Sequence, residues 1–145
     1  MPLHKRVSLA GEVFHGSNLG GFQAGVFQNY NTDYAEPVNG VLTARGVQGV
    51  RTTGGWTQLG FTPNWNKDKL TLYGSAGIDD PDNSDLRSAR PRDFRSRNFS
   101  FAADAIYKVT PQFQFWIEVR RIITNYTLTG KKRDTHVNLG AAYSF

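Results

Sequence analysis

The chain has no cysteine, one methionine and three histidines. It also has no hydrophobic run near the roughly 18 residues that a membrane helix needs. Lack of cysteine excludes a disulfide framework and thiolate metal sites, while leaving the compartment open. Lack of a long apolar run excludes a helical span. It does not exclude a transmembrane barrel, whose strands alternate lipid-facing and lumen-facing residues and keep the average hydropathy low. The opening stretch MPLHKRVSLAGEVF is basic but lacks the apolar segment of about 7–15 residues found in a secretory signal. An exported barrel should carry one, so the expectation is a removed leader or a chain that is the end of a longer protein.

Glycine and aromatic residues are abundant: 15 Gly, ten Phe, six Tyr and three Trp in 145 residues. The length suggests a single domain, residues 1–145. The net charge of +5 suits an anionic surface, either nucleic acid or membrane.

Period-two alternation is the strongest local signal. Thr57, Leu59 and Phe61 alternate with Trp56, Gln58 and Gly60, and Leu70, Leu72, Gly74, Ala76 and Ile78 with Thr71, Tyr73, Ser75 and Gly77. Phe99, Phe101, Ala103, Ala105, Tyr107 and Val109 oppose Asn98, Ser100, Ala102, Asp104, Ile106 and Lys108. Phe113, Phe115, Ile117 and Val119 oppose Gln112, Gln114, Trp116, Glu118 and Arg120. The end of the chain, HVNLGAAYSF, sets Val137, Leu139, Ala141, Tyr143 and Phe145 against His136, Asn138, Gly140, Ala142 and Ser144. Such alternation predicts strands and excludes amphipathic helices. KRVSLAGEVF, with Val7, Leu9, Gly11 and Val13 on one side, predicts another strand. Residues 15–54 are Gly-rich and loosely alternating, and read either as two further strands, eight in all, or as one long loop, leaving six.

The connections alternate in length: PNWNKDK is short, residues 79–97 are long and charged, Thr110-Pro111 is tight, and a moderate loop surrounds Thr129 to Asp134. Short turns at one rim and long loops at the other are the rhythm of an outer-membrane meander. The expected fold is all-β: an antiparallel up-and-down transmembrane β-barrel of about eight strands, or the C-terminal six to eight strands of a larger one. Arg121 breaks the alternation, which predicts a bulge or emergence from the membrane near it.

The terminal pattern Val137-Leu139-Ala141-Tyr143-Phe145 resembles the C-terminal strand signature of bacterial outer-membrane, porin-like β-barrels. GGWTQLGF and GIDDPDNSDL are similar to the closing section of larger barrels of that kind, and the resemblance covers about residues 54–145. It implies a Gram-negative outer-membrane location, a passive channel or scaffold without cofactor, and recognition of the terminal residues by the barrel-assembly machinery. Outer-membrane lipid and lipopolysaccharide would be its surroundings.

On this reading Asn98, Asp104, Lys108, Gln112, Gln114, Glu118 and Arg120 face the lumen, either as packing or as a selectivity lining. Arg87, Arg90, Arg92, Arg95 and Arg97 form an extracellular basic loop. They would grip lipopolysaccharide phosphates, set anion preference if folded inward, or remain solvated and disordered. Only Phe94 interrupts them as a stacking aromatic, which argues against nucleic acid. Asp79, Asp80, Asp82 and Asp85 lack the spacing of a calcium loop and read as a solvated turn. No local motif joins a nucleophile to His4, His15 or His136, so neither catalytic nor metal-binding residues are assigned. Two other readings stand beside the porin-like one: a soluble calycin-like barrel binding an apolar ligand, and a lipid-modifying barrel enzyme.

Overall fold

The computed structural model describes residues 2–22 and 27–145. Among them the fold is all-β and antiparallel, with 3-10 turns at Leu19–Phe22 and Asn64–Asn66. The strands are β1 (Pro2–His4), β2 (Val7–Ser17), β3 (Tyr30–Val38), β4 (Val41–Gly49), β5 (Arg51–Phe61), β6 (Leu70–Pro81), β7 (Arg95–Lys108), β8 (Phe113–Tyr126) and β9 (Gly130–Tyr143).

One sheet has the order β1-β2-β5-β6-β7-β8-β9, and β3 and β4 pair separately. Residues 15–54 therefore hold two further strands, as one of the two sequence readings expected, but in a sheet of their own. Their two ends complete β2 and begin β5, and between them β3 and β4 form a hairpin that adds nothing to the main sheet. Asn39 and Gly40 close that hairpin with φ of 50° and 81°. Two consecutive left-handed residues make the turn whose twist matches the flanking strands, which is why an Asn-Gly pair occupies it.

The main sheet has six long strands, each of 11 to 14 residues, plus the short β1. It does not close on itself: β9 forms one edge, and β1 covers β2 only around Val7 and Ser8. At one rim the connections are short. Val109 and Phe113 clamp the β7–β8 turn through a backbone bond of 2.9 Å, and Thr110 Oγ1 accepts from the Phe113 amide at 3.0 Å. Gln112 lies in this turn, one residue before β8 begins, and its carbonyl accepts from the Ser144 amide at 2.9 Å. At the other rim stand the β3–β4 hairpin, residues 82–94 and the β8–β9 turn.

Three boundary expectations are corrected. The charged loop expected over residues 79–97 shrinks to 82–94, so that Asp79 and Asp80 belong to β6 and Arg95 and Arg97 to β7. The loop expected around Thr129 to Asp134 shrinks to residues 127–129, because Gly130, at φ 72°, already pairs with Tyr126. Lys131, Lys132 and Arg133 are consequently strand residues. Arg121 makes no bulge: its register with Thr135 is continuous, and the irregularity lies instead between Arg95 and Arg97 of β7. A cation on an exposed face needs no backbone distortion to stay wet.

Candidate functional site

The register fixes which side chains share a face. Reading across the sheet, Leu9 pairs with Leu59, Leu59 with Gly74, Gly74 with Ala103, Ala103 with Val119, and Val119 with Val137. The apolar parity of each long strand therefore falls on one side. That side is bare. Val13 is 87%, Leu139 75% and Val137 62% exposed, and Phe61, Phe101, Phe115 and Ile117 are each exposed by more than a third. Towards the short-turn rim, Tyr107 pairs with Phe115 and Phe113 with Tyr143. Phe145 extends beyond β9, fully exposed and edge-on to Tyr143 at 5.3 Å.

The opposite face carries the polar set. Asn98, Asp104 and Lys108 of β7 pair with Thr124, Glu118 and Gln114 of β8. Thr124 donates to Asn98 at 2.7 Å. Glu118, directly opposite Asp104, accepts from Asn138 at 2.8 Å and from Arg120 at 2.6 Å. Two facing carboxylates would repel, and the cation and amide that grip Glu118 offset part of that repulsion. Large aromatics on this face lie over glycines of neighbouring strands: Phe14 over Gly54, Tyr73 over Gly60 and Trp116 over Gly140. A Cβ at those glycines would collide with the rings, so glycine here makes room for a ring to lie flat on the sheet. Tyr73 is thus on the polar face, close to the start of β6.

Residues 82–94 form a cap with a small buried core, while Asp82, Arg87, Arg90, Arg92 and Asp93 stay exposed. Leu86 and Phe94 bury with Val50 into a small core, beside Ala35, Asn31 and Asp85. Asn31 Nδ2 donates to the carbonyls of Asp85 (3.0 Å) and Arg87 (2.8 Å), and Ala35 N donates to Arg87 O at 3.1 Å. The hairpin and the cap segment thus hold each other. Asp85, 2% exposed, accepts from the Arg51 amide (3.0 Å), Nε (2.8 Å) and Nη2 (2.9 Å). The aspartates before the arginines are therefore not all solvated: Arg51 also reaches Asp82 at 2.9 Å, and Arg97 reaches Asp80 at 2.6 Å.

The arginines disperse around this cap. Arg92 donates to Thr32 at 2.9 Å and lies over Phe94, while the backbone of Arg95 exchanges two hydrogen bonds with the Gln28 side chain (2.7 and 2.8 Å). Arg87 and Arg90 complete the segment. Asp93 pairs with none of them. It accepts from the Thr129 hydroxyl at 2.7 Å and the Leu128 amide at 2.9 Å, latching the cap to the β8–β9 turn. These bonds, the Thr129 hydroxyl first, hold the Asp93 carboxyl below the ordinary carboxylate range. The Ser84 hydroxyl and amide do the same for Asp82, with help from Arg51.

Among the described residues no cluster of three metal-ligating side chains occurs. His15 Nδ1 lies 2.7 Å from Thr53 Oγ1, but Asp80, next in that row, is engaged by Arg97. His136 is 3.1 Å from Asp134. The described bonds thus give neither histidine both a nucleophile and an orienting acid. The side chain of His4 lies outside the described residues. No family model, curated protein or solved structure matches the chain.

Proposed function

We propose that this chain is a section of the wall of a porin-like β-barrel in the outer membrane of a Gram-negative bacterium, acting as a passive channel or scaffold without chemistry of its own. The observation that carries the reading is the single continuous apolar face, collected by register from every long strand and left uncovered. Water penalises such a surface by about 25 cal/mol per Å² of apolar area. Hydrocarbon does not. The polar face then lines the lumen, and the cap sits at the extracellular rim.

In hydrocarbon every backbone group must be satisfied within protein, which an open edge along β9 violates. Six long strands are also fewer than the eight of the smallest barrels. Further strands must therefore complete the wall, and the chain is read as one section of it. A soluble ligand-binding barrel would need the apolar face wrapped inward around its ligand, and nothing covers that face here.

The absence of cysteine makes a clean test available. Single substitutions Val137→Cys, Leu139→Cys and Ala141→Cys, and His136→Cys, Asn138→Cys and Ala142→Cys, would carry an environment-sensitive fluorophore in lipid vesicles. Quenchers attached to acyl chains should act on the first set and spare the second. Equal quenching of both sets, or of neither, would overturn the assignment.

A further inference from the structure

We infer that the margin of the apolar face on β8 and β9 binds the phosphate-bearing headgroup of a membrane lipid, through Arg121, Lys131 and Arg133. This rests on the wall reading above. The charges of the main sheet are divided by face. On the polar parity, Glu12, Asp79, Asp104, Glu118 and Asp134 outnumber Arg95, Lys108, Arg120 and Lys132. On the apolar parity, Arg51, Arg97, Arg121, Lys131 and Arg133 stand with Asp80 alone, all towards the cap rim.

Within that row the cations differ. Arg51 and Arg97 are spent on Asp85, Asp82 and Asp80. Arg121 donates only to a neutral hydroxyl, Thr135, at 2.9 Å, and Lys131 and Arg133 have no carboxylate partner among the described residues. Arg133 pairs with Ile123 and Arg121 with Thr135, so the two guanidiniums are diagonal neighbours, with backbones about 7–8 Å apart. Lys131 follows two positions on. Gathering exposed like charges costs energy unless an anion joins them.

Two residues in the other direction the same face becomes Val119 and Val137, then Ile117 and Leu139. That step along a strand is about 7 Å. The surface is thus cationic at one end and apolar at the other within a single strand hairpin, matching an amphiphile and not a free anion. Guanidinium pairs with phosphate in bidentate fashion, and the branched side chains below would lie along the acyl chains.

The test is co-flotation of the purified chain with vesicles of phosphatidylcholine alone or of phosphatidylcholine with phosphatidylglycerol. The wild-type chain should float with both and partition more strongly onto the anionic vesicles. Arg121→Gln, Lys131→Gln and Arg133→Gln should each lower the anionic preference roughly fivefold. Lys132→Gln, on the opposite face, should leave it within twofold. Equal flotation with both vesicles, or an equal loss from Lys132→Gln, would overturn the headgroup site while leaving the wall reading intact. Loss of the preference in excess inorganic phosphate at constant ionic strength would show a free-anion site and overturn the lipid assignment. Failure to float with either vesicle would overturn the headgroup site, whereas the wall reading is decided separately by the acyl-chain quenching above.

Discussion

The cap and the sheet of this molecule treat apolar residues in opposite ways. In the cap, Leu86 and Phe94 are each 5% exposed and sit against Val50, and the buried Asn31 and Asp85 are both hydrogen-bonded. That is how a chain folds against water. In the sheet, a larger apolar surface faces outward from Val13 to Leu139 with nothing over it. On the proposed reading the cap answers to water and the apolar sheet face to hydrocarbon, with the boundary along the cap-side ends of β5, β6 and β7. Low mean hydropathy averages over both surfaces and so distinguishes neither.

The largest expected effect belongs to the cap. Phe94→Ala should cost the cap about 3–5 kcal/mol, the usual loss for truncating a buried phenylalanine. Proteolysis within residues 82–94 should accelerate while the sheet's lipid association persists. Simultaneous loss of both would mean that cap and sheet fold as one unit, breaking the contrast. Next is the sheet in lipid: Leu139→Arg should destabilise it by about 2–4 kcal/mol near the bilayer midplane, and Asn138→Arg by much less, measured by refolding into bilayers. Equal costs would contradict the assignment of faces.

Asp85→Asn should loosen the cap by about 1.5–3 kcal/mol, the range for hydrogen bonds to a charged group. The exposed half of Arg51 places the effect towards the lower end. Faster amide exchange at Arg51 and Ala35, with β9 unchanged, is the expected signature. Smallest is the latch. Because the folded carboxyl of Asp93 titrates below its unfolded value, its contribution is complete above the ordinary carboxylate range. It is lost only as pH falls through the depressed folded value. Exchange at the Leu128 and Thr129 amides should therefore rise in acid, and Asp93→Asn should remove that acid step.

The sheet was legible because a period of two places each strand's apolar set on one face without reference to any other strand. Leu9, Leu59, Val119 and Val137 come from four strands, yet each local pattern gave the parity that the register joins. The cap was not legible. Asn31 reaches Asp85 and Arg87 across more than fifty residues, and Arg51 reaches Asp85 across 34. Charge density at 79–97 suggested solvation, since local composition cannot see a distant arginine or asparagine supplying the missing bonds. One signal was available there: Asn39-Gly40 between Val38 and Val41 marks the β3–β4 hairpin. The cations of β8 and β9 were obscured differently. Arg121 read as an interruption of a strand, and Lys131 to Arg133 as loop, until the register put Arg121, Lys131 and Arg133 on one side.

Every neighbour in the main sheet is antiparallel, and six such steps separate β1 from β9. The two outermost strands therefore point the same way. An all-antiparallel ring cannot join them directly, and any closure must interpose an odd number of strands. A single hairpin is ruled out as the whole remainder, while one strand beyond a lengthened β1 would bring the ring to the eight of the smallest barrels. On the proposed reading, direction alone thus sets an arithmetic on whatever completes the wall.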